Sequence, residues 1–161
     1  MKNYGNIELN QALKFILAGK CEFVLYSTKI NDKFEYKLTK KESKNKENEF
    51  IYFLNTKVDG EFKYAGVIWF DDKTNEFRFG QGAKGQLEGN HLNIRSLLFV
   101  LNKLNLGGEP QHCEVYHVGT CGRCGKKLTT PESILTGLGP ECCKKVGVPR
   151  VKINRHNEQD K

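Results

Sequence analysis

The fold of this chain is decided by residues 50–70, FIYFLNTKVDGEFKYAGVIWF. Two runs rich in Phe, Tyr, Val and Ile flank the dipeptide Asp59-Gly60. An Asp-Gly connection between such runs predicts a type I′ hairpin, because both turn positions favour positive φ. We therefore predict two antiparallel strands, over residues 50–58 and 61–70, joined by a tight turn.

The segments on either side of this hairpin extend the predicted sheet. Residues 33–38 alternate apolar and charged side chains, which indicates a strand with one buried and one solvated face. Residues 21–27 and 77–79 predict two further strands, whereas residues 40–49 contain no apolar side chain and are predicted to form a solvated loop. The sequence thus predicts a five-stranded antiparallel sheet.

Two helices are predicted, one before the sheet and one after it. Leu9, Leu13 and Ile16 follow helical spacing and precede Gly19, while residues 92–104 carry an apolar stripe that ends before two glycines. Helices that pack on one face of an antiparallel sheet form an α+β domain. The predicted fold class is therefore α+β.

A step in composition divides the chain. All aromatic residues lie before position 117, and the remainder is rich in Gly, Cys and Lys. We predict an α+β core domain over 1–108, a zinc-binding module over 109–150 and a basic, flexible tail over 151–161. No run of about 18 apolar residues suggests a membrane span, and the N-terminus lacks a signal peptide, so we expect a soluble protein made in a reducing compartment.

The cysteines carry the most specific signal. Four of the six, Cys121, Cys124, Cys142 and Cys143, lie close together in sequence, and clustered cysteines in a reducing cell are more often metal ligands than disulfides. Two residues separate the first pair, so one tight turn can present both thiolates to one ion. His117 lies four residues before this turn.

Two short helices are predicted between and around these cysteines. Thr130 followed by Pro131 is a typical helix start, and so is Gly139 followed by Pro140. The second start places Cys142 in the first helical turn, where the positive end of the helix stabilises a thiolate.

We predict that this region binds one structural Zn²⁺ through four protein ligands. These ligands are His117, Cys121, Cys124 and Cys142. Four ligands leave no position for a catalytic water, and the segment has too few apolar side chains to fold unaided. Cys143 or Cys113 in place of His117, a redox use of the Cys-x-x-Cys pair, an iron–sulfur cluster and a disulfide are the alternatives.

The segment from His117 to Cys142 resembles a zinc module of small, largely uncharacterised bacteriophage proteins. Their pattern is H-x3-C-x-R-C-G-x-x-L-T-x-P-E-S-I-x-x-G-x-G-P-x-C, and every fixed position is present here. The N-terminal stretch ALKFILAGKCEFVLYS resembles the same proteins more loosely. The resemblance implies the same four metal ligands and a phage origin, and hence a place in the cytoplasm of a bacterial host cell.

A small phage protein of this kind is similar in outline to anti-CRISPR inhibitors. This resemblance implies a non-enzymatic zinc metalloprotein that inhibits a host defence nuclease by protein binding. The implied partner is Cas9 or its guide-RNA complex, as in a type II anti-CRISPR. We expect a monomer without a membrane partner.

The alternative function is that of a nucleic-acid-binding phage accessory protein. The chain has a net charge of +7, and basic residues surround the proposed zinc site. They are Arg123, Lys126, Lys127, Lys144, Lys145, Arg150, Lys152 and Arg155. This C-terminal region lacks aromatic side chains for stacking single-stranded bases, which counts against a zinc-knuckle reader of RNA but not against duplex binding. An enzyme is disfavoured because no nucleophile–base pair is evident, and a structural role in the virion is the remaining alternative.

Overall fold

The computed structural model of the protein describes residues 5–44 and 49–149. Its strands are β1 (Asn6–Ile7), β2 (Lys20–Ser27), β3 (Asp32–Glu42), β4 (Phe50–Val58), β5 (Glu61–Asp71), β6 (Glu76–Gly80) and β7 (Cys113–His117). Its helices are α1 (Leu9–Ile16), α2 (Leu92–Asn105), α3 (Pro131–Thr136) and α4 (Pro140–Val146). The predicted α+β class is confirmed.

The sheet has seven strands in the order β1-β7-β2-β3-β4-β5-β6, and every pair is antiparallel. The β4–β5 turn adopts the predicted positive φ at Asp59 (53°) and Gly60 (83°). The prediction of five strands is wrong, because β1 and β7 add to the edge of β2. Residues 40–42 belong to β3 rather than to the predicted loop.

The core lies on one face of this sheet, beneath α1 and α2. Alternate residues of the central strands are fully buried there, among them Tyr36, Leu54 and Ile68. The Tyr36 hydroxyl donates a hydrogen bond to the Asn93 carbonyl oxygen of α2 (2.7 Å), which fixes that helix over β3. Burial also raises the pKa of Tyr36 well above its usual range, so the hydroxyl stays protonated as a donor.

β7 connects the two predicted regions of the chain. It lies in the segment assigned to the zinc module, yet it pairs with β2 over five residues, from Cys113 to His117. The predicted tail over 151–161 lies outside the described residues. None of the described helices is both long and apolar enough to cross a membrane.

Candidate metal centre and the basic cleft beside it

The Cys121–Cys124 turn has the backbone of a metal-binding knuckle. The Gly125 N–H donates to the Cys121 carbonyl oxygen (2.9 Å), and the Cys121 N–H donates to the Lys126 carbonyl oxygen (2.7 Å). Gly125 supplies the left-handed residue that closes the turn, with φ of 78°. These bonds hold the two thiols of the knuckle on the same side of the loop.

Helices α3 and α4 bring the third cysteine to the knuckle. Thr130 caps α3 through a reciprocal pair of hydrogen bonds with Ser133, and Gly137 ends that helix with φ of 72°. The chain then turns into α4, where Gly139 is the N-cap and Cys142 lies in the first turn. Both predicted helix starts are confirmed.

The sulfur atoms of Cys121, Cys124 and Cys142 all lie within 4.8 Å of one another. Cys121 and Cys142 are buried, and all three thiols are free of disulfides. Three converging thiols in a shielded place suit a soft or borderline metal ion. The arrangement therefore fits a metal ion, as predicted for these three residues.

Backbone N–H groups favour the thiolate form of Cys121. Burial opposes ionisation, but N–H groups of Gly139, Cys124 and Arg123 point at the sulfur and together lower the pKa of Cys121. The Gly139 nitrogen lies 3.4 Å from this sulfur. Burial and the neighbouring Cys121 raise the pKa of Cys142 to about 11, although Arg123 lowers it in part. Negative charge on Cys121 repels negative charge on Cys142, and a bound cation would offset this repulsion.

His117, the predicted fourth ligand, does not lie with the three thiols. The ring is fully buried, and its Nδ1 accepts a hydrogen bond from the Gly119 N–H (2.8 Å). Its Nε2 lies 2.7 Å from the Ile134 carbonyl oxygen, to which it donates in this tautomer. Both ring nitrogens thus bind the backbone, and burial lowers the pKa of His117. The structure thus brings together three of the four predicted ligands.

The other cysteines lie outside the cluster as well. The Cys143 sulfur lies 3.7 Å from the Thr136 hydroxyl oxygen, on the buried side of α4. Cys113 lies at the start of β7, where burial raises the pKa of its thiol to about 11. Cys21 is a buried residue in β2. Neither alternative fourth ligand, Cys143 or Cys113, joins the three cysteines.

The Cys121–Cys124 knuckle is hydrogen-bonded to the core domain and packed against it. The Lys20 N–H donates to the carbonyl oxygens of Gly122 (3.0 Å) and Arg123 (3.1 Å). Gly122 and Gly137 lie so close to the Phe15 ring that a Cβ at either position would come within 2.8 Å of it. The metal site and helix α1 therefore form one packed unit.

A basic cleft lies beside the metal centre, between α1, the end of β3 and α4. Its volume is about 540 Å³, and its described lining residues include four cations and no acidic side chain. The cations are Lys14, Lys40, Arg123 and Lys145. Lys14 also donates a hydrogen bond to the Gly147 carbonyl oxygen (3.0 Å), which ties α1 to the end of α4. Four positive charges from distant parts of the chain thus converge on one concave surface.

Only some of the basic residues singled out in the sequence lie in this basic cleft. Arg123 and Lys145 line it, whereas Lys126, Lys127 and Lys144 are exposed elsewhere on the module. Arg150, Lys152 and Arg155 lie outside the described residues. Sequence reasoning missed Lys14 and Lys40, because no local pattern indicates that they face the module.

Comparison with known proteins matches part of the chain. Residues 112–147 are similar to a protein family described as "Family of unknown function (DUF6011)". This segment contains His117 and the three clustered cysteines. No curated protein and no solved structure matches the chain.

Proposed function

We propose that this protein is a zinc-containing nucleic-acid-binding protein that holds the phosphate backbone in the basic cleft. The observation that carries the proposal is the convergence of Lys14, Lys40, Arg123 and Lys145 on a concave surface without a described acidic residue. Lysine and arginine side chains supply most of the sequence-independent affinity of proteins for nucleic acids. The net charge of +7 is consistent with such a ligand.

Zinc is the metal that we propose for the cluster. Three cysteine thiolates would hold it, and the ion would serve as a structural cross-link between the knuckle and α4. Such a cross-link holds Arg123, which lies between the two knuckle cysteines, near Lys145 of α4, and both line the basic cleft. The Arg123 guanidinium lies 3.7 Å from the Cys142 sulfur, so the metal site and the cleft share a residue. A non-enzymatic role is part of this proposal.

The proposal is tested by charge reversal in the basic cleft. Lys40→Glu/Lys145→Glu should weaken binding of a fluorescein-labelled oligonucleotide strongly, as measured by fluorescence anisotropy. Binding by the unchanged protein should fall between about 50 and 200 mM salt, with a log–log slope of about −3 for four phosphate contacts. Lys84→Glu/Lys103→Glu is the matched control, since both of its lysines are exposed and lie outside the cleft.

Two results would reject the proposed function. One is the absence of binding to single-stranded and duplex DNA or RNA at low salt. The other is an equal loss of affinity in the cleft variant and the control variant, because net charge alone would then explain the interaction.

The second candidate function is inhibition of a host defence nuclease by protein binding, with Cas9 or its guide-RNA complex as the proposed partner. What favours a protein partner is an exposed apolar stripe along α2. Leu92, Phe99 and Leu106 are 52%, 60% and 69% exposed, and seven residues, or about two helical turns, separate each from the next. Exposed apolar patches of this kind often mark interaction sites.

This second candidate is tested with purified Cas9–guide-RNA complex in a DNA cleavage assay. Inhibition by the unchanged protein, its loss in Phe99→Glu and its persistence in Lys40→Glu/Lys145→Glu would support a protein-binding mechanism through α2. Unimpaired cleavage at a large excess of the protein would reject it.

A further inference from the structure

Four aromatic side chains lie together on the sheet face opposite the core. Phe53 alternates along β4 with the buried residues Tyr52 and Leu54, so its ring points to the other face. A register shift at Leu54/Asn55 brings even-numbered residues of β5 to the same face further along the hairpin. We call this group the aromatic face. Its members are Phe53, Phe62, Tyr64 and Trp69, and all four are partly accessible.

Contacts between the side chains confirm this assignment. The Phe53 and Tyr64 rings lie 6.2 Å apart between centroids. Trp69 follows the fully buried Ile68 in β5, so it points away from the core. Its ring leans over Gly80, where a Cβ would come within 3.1 Å of it. The rings therefore span the neighbouring strands β4 and β5 and extend towards β6.

Lysine side chains are interleaved with these rings. The ammonium group of Lys37 lies 4.3 Å from the Phe62 centroid, and that of Lys57 lies 5.2 Å from it. The ammonium group of Lys41 lies 5.7 Å from the Phe53 centroid. Acidic side chains lie on this face as well: Glu35 pairs with Lys57 (3.6 Å), and Glu22 lies opposite Lys37. The aromatic face therefore places lysine ammonium groups next to flat apolar rings.

The aromatic face is continuous with the basic cleft. Lys40 lines the cleft, and the next residue, Lys41, contacts the aromatic face. A smaller cavity of about 340 Å³ lies beside the cleft, and its wall includes Lys40, Lys41 and Arg123 together with Glu42. A nucleic-acid backbone held by the cleft can therefore continue past Lys41, at the end of β3, towards the Phe53 ring.

We propose that the aromatic face binds the unpaired bases of a single-stranded nucleic acid whose phosphates enter from the basic cleft. This inference rests on the proposed function and narrows its ligand to single strands. Aromatic side chains on an open sheet stack unpaired bases, while the lysines between them meet the phosphates. The bases of a duplex are already stacked on one another, so a duplex has no exposed base face for the rings to contact.

The position of the aromatic face answers an objection to single-strand binding that the sequence raises. The absence of aromatic residues after position 117 counts against single-strand binding by the C-terminal region alone. In the folded protein, however, Lys41 beside Phe53 directly follows Lys40, which lines the basic cleft with Arg123 and Lys145.

The test compares binding of labelled oligothymidylate of about 15 nucleotides with binding of a duplex of equal length. Phe53→Leu and Tyr64→Leu keep apolar volume but remove the ring, and each should weaken single-strand binding about tenfold while leaving duplex binding unchanged. Phe99→Leu is the matched control, because this exposed ring lies on α2. Trp69 is the single tryptophan, so its fluorescence should be quenched by oligothymidylate.

The outcomes separate this inference from the proposed function. Equal affinity for single strands and duplexes, with no effect of the ring variants, would overturn the inference and leave the basic cleft intact as a phosphate site. Circular dichroism of each variant checks that a lost affinity does not reflect unfolding. Absence of any nucleic-acid binding would overturn both.

Discussion

Gly137 and Gly125 both adopt left-handed backbone conformations, but only Gly137 contacts the core domain. A Cβ at Gly137 would lie 2.7 Å from the Phe15 ring, whereas nothing lies within 4 Å of the same atom at Gly125. Gly137→Ala should therefore destabilise the protein by about 3 kcal/mol, and Gly125→Ala by about 1 kcal/mol through backbone strain alone.

Thermal or urea unfolding of the two variants measures this difference. Because their φ values are similar (72° and 78°), the backbone cost largely cancels. The remaining difference in unfolding free energy between the two variants measures how much the packing of the metal module on α1 stabilises the protein. Equal destabilisation would show that the packing against Phe15 contributes little.

Cys124 is predicted to be essential for metal binding. Native mass spectrometry should detect one equivalent of zinc in the unchanged protein and none in Cys124→Ser, because two thiols cannot hold the ion tightly. X-ray absorption of the unchanged protein should show three sulfur ligands and one nitrogen or oxygen ligand. Four sulfur ligands would contradict the position of Cys143, which points towards Thr136.

His117, in contrast to Cys124, is predicted to be dispensable for metal binding. His117→Gln should retain one equivalent of zinc, because both ring nitrogens face backbone groups rather than the thiol cluster. Loss of zinc in this variant would restore His117 as the fourth ligand.

His117 should also make stability depend on pH. Burial lowers its pKa in the folded protein below the ordinary value of 6.5, so the unfolded chain takes up a proton first as the pH falls. Stability is therefore complete above pH 6.5 and declines below it. Melting temperatures of zinc-loaded protein should fall less steeply below that pH in His117→Gln. Parallel pH profiles would contradict a buried neutral imidazole.

At the residue scale, the sequence predicts what local geometry determines. The spacing of Cys121 and Cys124, and the helix start before Cys142, depend on a few neighbouring residues. The partners of His117 depend on where Ile134 lies after folding, and no spacing rule contains that information.

At the scale of elements, β7 is a strand of the sheet that local sequence patterns do not predict. The hairpins from β2 to β6 are local, so alternation and turn residues predict them. β7 is short and pairs with β2, whose partner residues lie about ninety positions away, from Phe23↔His117 to Ser27↔Cys113. Its Cys113 and His117 are also residue types that bind metals, so their sequence does not indicate a strand.

The elements should respond differently to zinc removal. Hydrogen exchange after chelation should show loss of protection in α3 and α4, which contain few apolar residues and depend on the cross-link. β7 should remain protected, because its partners β1 and β2 belong to the sheet. Simultaneous loss of protection in β7 and α4 would mean that the strand depends on the metal.

At the scale of the whole molecule, two surfaces arise only after folding. Lys14 of α1 and Lys40 of β3 meet Arg123 and Lys145 of the module in the basic cleft. The aromatic face is assembled in the same way, from rings of β4 and β5 and lysines of β3 and β4. Composition indicates an excess of positive charge but not where it is concentrated. That location depends on the order of the strands and on the hydrogen bonds between Lys20 and the knuckle.

The most direct test of a nucleic-acid site at the cleft and the aromatic face is a titration of ¹⁵N-labelled, zinc-loaded protein with oligothymidylate, followed by NMR. The predicted result is a set of chemical-shift changes that begins around Lys40, Arg123 and Lys145 and continues to Phe53 and Tyr64. Changes confined to α2 around Phe99, or no changes at low salt, would contradict it.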